Sequence, residues 1–599
     1  MEAVSAEIAV TCRSAARALW GVLTDTERLN RMVGMAKVTT EPLGDASAAR
    51  HLVSTRLGGF SVKFEELPFE WSYPESYRIL RRMRNGPLQT LEMAYHLVPQ
   101  PDGGTRVEIT LTLTPRYRIL SPFLGLMADR TLAGFRTAIL ALDEELVSGR
   151  KGPSRPDLVN EEALTRATKA LRESEPAPVV ERLTALVHNG DDVDIGRIRP
   201  FALADEWALD RREVLRACLS AVRAGLLDLH WEVVCPSCRT ATVALPSLAS
   251  LAEHGACQLC EIAFAIDLDE AVEATFTPSR AIRAVDLGPY CIGGPARTPH
   301  VLAQAILPLS GEARLKAPPE PGHYRLFLRG GRALPIEIVE GAAPEQRATR
   351  AMLAPADGPP EPLFLAPSGT LLVENPGDGE SHAKLERVTW SDQAAKARVV
   401  MTMPGFRRDF SGDILRPGMA LKVARVGIFF SDLTGSTQLY TDAGDAAAFK
   451  LVHDHFDIVI ASIEKSGGSL VKTIGDAVMA AFADDLDGLL ASIAILHAFE
   501  DFRVQGEHRG RTHIKLGVYG GPCYAVTANE VLDYFGQTVN LSARLQAEAH
   551  PGELVVPAEL CDRALAARAI PASFVRERYE ARLKGVTNPL AVARIKVGK

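Results

Sequence analysis

A chain of 599 residues is long enough for about four domains of ~150 residues each. Its 47% hydrophobic and 24% charged content is ordinary for a soluble globular protein, and a net charge of −7 supplies no whole-chain basic field for nucleic acid or anionic membrane. No run approaches ~20 uninterrupted apolar residues, and "MEAVSAEIAVTCRSAARALW" lacks the basic start and long apolar core of a signal peptide, so neither a membrane span nor a leader is expected. Of nine cysteines, Cys12, Cys218, Cys291, Cys523 and Cys561 are scattered and four are paired, which suits a reducing, cytoplasmic location with one metal site.

In residues 1–150 a strand (Glu7–Val10) and a helical stretch (Ala15–Met35) precede long alternating segments. "FEWSYPESYRILRRM", "QTLEMAYHLVP" and "TRVEITLTLTP" alternate apolar and polar residues, as a sheet with one buried face does. Ile119–Leu146 then reads as one amphipathic helix. The order resembles the START-like, polyketide-cyclase-like helix-grip superfamily. That resemblance implies a curved sheet gripping the last helix, with an apolar small ligand or a protein partner as the expected occupant. No catalytic motif stands out there.

After the linker "RKGPSRP" (150–156), residues 155–232 are mostly helical. "PFALADEWALDRREVLRACLSAVRAGLLDLHWEV" has helix–turn–helix spacing and room for a wing. Between Arg197 and His230 lie six arginines and five acidic residues, a near-neutral balance. DNA readers carry a clear basic patch, so a winged-helix-like packing module is expected rather than nucleic-acid binding. "CPSC" and "CQLC" follow as C-x2-C-x18-C-x2-C, the spacing of a zinc ribbon over 233–268. Four thiolates from Cys235, Cys238, Cys257 and Cys260 would close a tetrahedral shell with no open position, so a structural Zn²⁺ is expected. Residues 269–390, rich in Pro and Gly with short β-like runs, read as a β-sandwich-like module. "SDQAAKARVVMTMPGFRRDF" in the connecting segment 391–420 reads as a helix ending near Phe410. Residues 155–420 also resemble an uncharacterised module that precedes nucleotide cyclase domains in bacterial proteins. The resemblance rests on "IRPFALA", the paired cysteines, "YCIGGPARTPH" and "FRRDF", and it implies regulation.

The pattern changes at 421–599. "LKVARVGIFFSD" is an apolar strand ending at Asp432, and "TGSTQLYTDAGDAAAFKLVHDHFDIVIASIEKSGG" reads as one long helix stopped by Gly467–Gly468. "SLVKTIG" and "AVMAAFA" form a hairpin with Asp476 at its tip, followed by a helix (Leu486–Phe502) and a strand (His513–Tyr519). The β-α-β-β-α-β order is ferredoxin-like. In that topology Asp432 and Asp476 converge on one rim, where two carboxylates repel unless a hard cation, Mg²⁺ or Mn²⁺, lies between them. Small residues in "DLTGST" at the expected helix start favour phosphate.

"FFSDLTGST", "VKTIGDAVMAAF" and "LDYFGQTVNLSARL" together resemble the class III nucleotidyl cyclases over about 30% of the chain. The resemblance implies two Mg²⁺ or Mn²⁺ ions on Asp432, Asp476 and the Leu433 carbonyl. It implies base recognition by Lys472 and Asp533, transition-state residues Asn540 and Arg544, and a phosphate-binding Lys584. It further implies a site shared across a homodimer through this domain, and a role in signal transduction. Adenine offers an N6 donor and an N1 acceptor, which match an Asp acceptor and a Lys donor, so ATP is expected over GTP. The alternatives are a guanylate cyclase and a catalytically inactive cyclase-fold module that senses nucleotide or dimerises. The whole reads as a multidomain α+β protein.

Overall fold

The computed structural model describes residues 3–42, 51–57, 60–117, 119, 121–149, 159–236, 239–257, 262–285, 294–328, 332–341, 348–352, 361–375, 379–388, 393–435, 444–504 and 512–597. The N-terminal region contains β1 (Val4–Cys12), α1 (Ala16–Leu23), α2 (Thr26–Met32), β2 (Val38–Pro42), β3 (His51–Leu57), β4 (Phe60–Glu66), β5 (Glu70–Ser72), β6 (Ser76–Met83), β7 (Leu88–Pro99), β8 (Thr105–Pro115) and α3 (Ser121–Ser148). Antiparallel pairing runs β1-β8-β7-β6, with Ile8 opposite Ile109 and Ile79 opposite Met93. The long helix α3 buries Leu132, Phe135 and Leu142 in one core with Tyr95, Leu111 and Leu113. A cavity of about 330 Å³ remains between sheet and helix, lined mainly by apolar side chains such as Phe64, Tyr77, Met93 and Phe135. The helical stretch over Ala15–Met35 comprises two helices. The Asp25 carboxylate accepts from the Arg28 amide at 3.0 Å and caps a new helix, α2.

The middle region begins with α4 (Glu161–Arg172), α5 (Ala177–Asn189), α6 (Asp192–Ile195), α7 (Pro200–Trp207) and α8 (Arg211–Arg223). Strands β9 (Leu227–Val234), β10 (Ala241–Leu245), β11 (His254–Cys257), β12 (Ile262–Ala265) and β13 (Val272–Pro278) follow. The turn between α7 and α8 uses Ala208 at φ 53°, and Asp210 caps α8 through the Glu213 amide. The arginines of α8 face carboxylates: Arg211 pairs with Asp205, Arg216 with Glu175, Arg223 with Asp409 and Arg212 with Asp487. Strand β13 pairs with β9 (Ala274 opposite Trp231), so the sheet β10-β9-β13 crosses the boundary expected at 268/269. Cys235 and Cys257 are buried in one small cluster with Phe327, while Cys238 and Cys260 lie outside the described residues.

Eight further strands enclose another core: β14 (Val301–Leu307), β15 (Glu312–Lys316), β16 (Gly322–Leu328), β17 (Arg332–Ile338), β18 (Ala348–Met352), β19 (Leu363–Leu365), β20 (Thr370–Glu374) and β21 (Ser381–Arg387). One sheet is β14-β21-β16-β17-β19 and the other β15-β20-β18. The first is continuous with the N-terminal sheet, because β14 pairs with β5 at Ala303–Ser72 and Gln304–Trp71. The seam is reinforced by Trp71 Nε1 to the Val301 carbonyl (3.0 Å) and the Tyr73 amide to the Leu302 carbonyl (2.7 Å). The helix expected up to Phe410 is broken into α9 (Ala397–Met401) and α10 (Pro404–Asp409). Pro404 cannot donate inside a helix and instead starts the second one.

The C-terminal region has β22 (Ala420–Thr434), α11 (Asp445–Lys465), β23 (Ser469–Ile474), β24 (Ala477–Phe482), α12 (Asp485–Val504), β25 (His513–Ala528), β26 (Val531–Phe535), α13 (Gln537–Glu548), β27 (Glu553–Pro557), α14 (Ala558–Ala566), β28 (Val575–Ala581) and β29 (Leu590–Ile595). The strand order β23-β24-β22-β25 is that of a ferredoxin-like sheet, extended by β27-β29-β28. Helix α11 starts at Asp445, after Gly444 at φ 79°, rather than directly after Asp432; residues 436–443 lie outside the described residues. A single core joins the middle region to this sheet, from Trp231 and Phe406 to Ile428, Leu532 and Tyr534. Among the described residues, no helix is long and apolar enough to cross a membrane.

Candidate active site

Strand register places the two acids. Ser431 pairs with Val478, so Asp432 stands one step on, beside the two-residue turn Gly475–Asp476 that joins Ile474 to Ala477. Gly475 takes φ 64°, the left-handed conformation this turn demands. Across the other edge of β22, Asp432 pairs with Lys515. The Asp432 carboxyl is held above the ordinary carboxylate range, first by burial and then by the Asp476 charge; Lys515 and the neighbouring Gln546 amide pull the other way. The rim therefore carries two hard oxygen donors that repel each other, and this donor set fits a divalent cation. Leu433 is buried on β22 between this rim and the core, so its backbone carbonyl is the group it can offer.

The second group is Lys472 with Asp533. Lys472 Nζ donates to Asp533 Oδ2 at 2.5 Å, and Asp533 Oδ1 accepts from the Tyr534 amide at 2.8 Å. Asp533 lies on β26, in a hairpin with β25 whose turn places Asn529 and Glu530 at positive φ. The carboxylate is nearly buried, whereas the lysine is half-exposed.

The third group is on α13. Ser542 Oγ donates to the Ile428 carbonyl (2.7 Å) and Thr538 Oγ1 to the Pro522 carbonyl (2.6 Å), fixing the helix to the sheet. Gly517 permits this approach: a Cβ there would lie 2.2 Å from the Gln546 amide nitrogen. Asn540 is exposed and Arg544 half-buried. The Arg544 guanidinium rests against Gly585, where a Cβ would be 3.4 Å from Nη2, so it sits beside the loop bearing the exposed Lys584. Gln546, which neighbours Asp432, is two residues from Arg544, or about 200° around the helix. Arg544 thus faces away from the acids of its own chain.

Lys515, Gln546 and His455 surround the acids and escaped the sequence reading. His455 is fully buried on α11, its Nδ1 donating to the Val452 carbonyl (2.6 Å), and it feels the Asp476 charge. Its place in the apolar stripe Ala448, Leu451, Val452, Val459 was the available signal. Lys515 could be found only from strand register.

Residues 420–590 match the family model "Adenylate and Guanylate cyclase catalytic domain". Residues 14–140 match "Polyketide cyclase / dehydrase and lipid transport", and 161–288 match a family of unknown function, DUF5939. The C-terminal region is therefore a nucleotide cyclase catalytic domain, and the N-terminal region a START-like domain. An uncharacterized protein of Mycobacterium tuberculosis is 34% identical over 137 residues, 23% of this chain and 33% of that protein. Guanylate cyclase 2G of Rattus norvegicus is 26% identical over 174 residues, 26% of this chain and 16% of the relative. The adenylate cyclase of Lachancea kluyveri is 27% identical over 169 residues, 24% and 9% of the two chains. The chain thus spans a third or less of the length of these relatives. Among solved structures, the adenylyl cyclase CyaB from P. aeruginosa is similar at 23% identity and TM-score 0.27, covering 30% of this chain and 97% of that one. The guanylyl cyclase Cya2 is similar at 18% identity and TM-score 0.27, covering 30% and 95%.

Proposed function

We propose that the protein is an adenylate cyclase that closes ATP to 3′,5′-cyclic AMP and pyrophosphate. The observation that carries this reading is the convergence of Asp432 and Asp476 at one rim. Those carboxylates, with the Leu433 carbonyl, would hold two Mg²⁺ or Mn²⁺ ions. Bound there, the ions supply a lowered pKa for the ribose 3′-hydroxyl and neutralise the triphosphate. In the reaction the 3′-oxygen forms a bond to the α-phosphorus, the α–β bridging bond breaks, and pyrophosphate leaves. Arg544 presents fixed positive charge to the α-phosphate, where negative charge grows, and Lys584 meets the outer phosphates. Asn540 orients the ribose.

The preformed Lys472–Asp533 pair supports ATP over GTP. Lys472 donates to adenine N1, and Asp533 accepts from the N6 amino group. Guanine reverses both directions and leaves the nearly buried Asp533 mismatched. The outward face of Arg544 supports a site completed by a second copy, with Asp432 and Asp476 from one chain and Asn540 and Arg544 from the other. Exposed Tyr524, Val531 and Phe535 on the β25–β26 hairpin give that second copy an apolar surface.

Two accessory assignments accompany this reading. The burial of Cys235 and Cys257 in one cluster supports a structural Zn²⁺ held with Cys238 and Cys260. The N-terminal cavity supports an apolar small ligand as the occupant of that region, and hence a regulatory role.

The test is turnover of the purified protein with Mn²⁺ or Mg²⁺ and each of ATP and GTP. Cyclic AMP formed in preference to cyclic GMP supports the assignment. Preference for GTP overturns the base assignment, and no cyclic product from either overturns the catalytic one.

A further inference from the structure

The connecting helix α10 reaches the base-recognition hairpin from behind. Arg407 Nη1 donates to the Leu532 carbonyl at 2.8 Å, and its Nε donates to the Met401 carbonyl at 3.0 Å. Its guanidinium carbon lies 5.2 Å from the centre of the Tyr534 ring. Leu532 and Tyr534 are the two residues flanking Asp533, and both are buried in the core shared with the middle region. On a strand they face one way and Asp533 the other. Arg407 therefore holds both neighbours of the base-recognition acid without touching it. The opposite strand is braced from the same segment: Thr527, the register partner of Leu532, donates through Oγ1 to the Leu415 carbonyl at 2.6 Å.

The helix that carries Arg407 is itself tied to the middle region. Phe406 meets Trp231 edge-on at 5.7 Å, and Asp409 pairs with Arg223 of α8 at 3.0 Å. A tilt of α8 or β9 thus reaches α10, and a displaced α10 pulls on the backbone on either side of Asp533.

We propose that Arg407 is a positioning residue for nucleotide selection, which sets Asp533 opposite Lys472 and couples the middle region to base recognition. The inference rests on the adenylate cyclase reading for the role of Asp533. A guanidinium suits the task because one planar group both donates to a carbonyl and lies on an aromatic face; lysine supplies only the donor.

The test compares wild type, Arg407→Met and Arg407→Lys in the full chain. KM, kcat and the ATP/GTP ratio are measured at a fixed interval below each protein's own Tm, together with calorimetric binding of a non-cyclisable ATP analogue. Arg407→Met is expected to raise KM and the analogue Kd about tenfold and to shrink the ATP/GTP ratio by a similar factor, with kcat changed by less than about twofold. Arg407→Lys is expected to fall between the two. A packing role alone would lower Tm and leave KM, Kd and nucleotide preference of the folded protein at wild-type values, and that result overturns the proposal. If the methionine variant fails to fold, the lysine variant decides: a weakened analogue Kd with a smaller preference supports the proposal, and wild-type values overturn it. A wild-type protein without turnover sinks the cyclase reading, and the analogue Kd of the variants still decides the role of Arg407.

Discussion

Asp432 and Asp476 are poorly placed for stability and well placed for binding a cation. Burial and mutual repulsion hold Asp432 above the ordinary carboxylate range, so its ionised form opposes folding when no ion is bound. Asp432→Asn should therefore abolish product while raising the Tm of the metal-free protein by about 1–3 °C. Mn²⁺ should raise the wild-type Tm by mass action and leave the asparagine variant almost unmoved. Calorimetry with and without metal checks both, and a metal response undiminished in the variant would remove Asp432 from the ligand set. At the base, Lys472→Glu with Asp533→Cys reverses the hydrogen-bond directions. The double variant should lose most ATP turnover and admit GTP. Full retention of ATP preference would mean that these residues do not read the base.

At the scale of elements, the cyclase strands were legible because each diagnostic block carries its chemistry within one short run. "VKTIGDAVMAAF" contains the hairpin, its turn and the two candidate residues Lys472 and Asp476. Ser436 and Thr437 of the "DLTGST" motif, where phosphate is expected, lie outside the described residues. Two helix breaks were written in the sequence but outweighed by periodicity: Asp25 in "TDTE" is a capping residue, and Pro404 ends one helix and opens another. Arg407 was not legible, because its partner Leu532 lies 125 residues away and only the fold brings them together. The cysteine pairs give a prediction of their own. Purified protein should carry about one Zn²⁺ per chain, and Cys257→Ser should unfold the middle region at lower temperature without changing nucleotide preference. A zinc-free preparation of wild-type stability would contradict that assignment.

The whole molecule is less divided than composition and linkers suggest. The N-terminal sheet continues through β5 and β14 into the next region, and one core runs from Trp231 to Tyr534. Pairing between edge strands about 230 residues apart leaves no local pattern to read, which is why the sequence suggested separate modules. Assembly beyond the single chain has its own test. With Arg544 facing away from its own acids, Asp476→Ala mixed with Arg544→Ala should regain activity, since one site of each mixed dimer carries no lesion. Random exchange at equal amounts should return about a quarter of wild-type activity. No recovery under demonstrated subunit exchange would refute the shared site.

The central claim is that Asp432 and Asp476 support ring closure of a nucleotide, and product stoichiometry tests it most directly. Wild-type protein supplied with ATP and Mn²⁺ should release 3′,5′-cyclic AMP and pyrophosphate in equal amounts, and Asp476→Ala should release neither. Release of ADP and phosphate instead, or undiminished cyclic product from Asp476→Ala, would contradict the account.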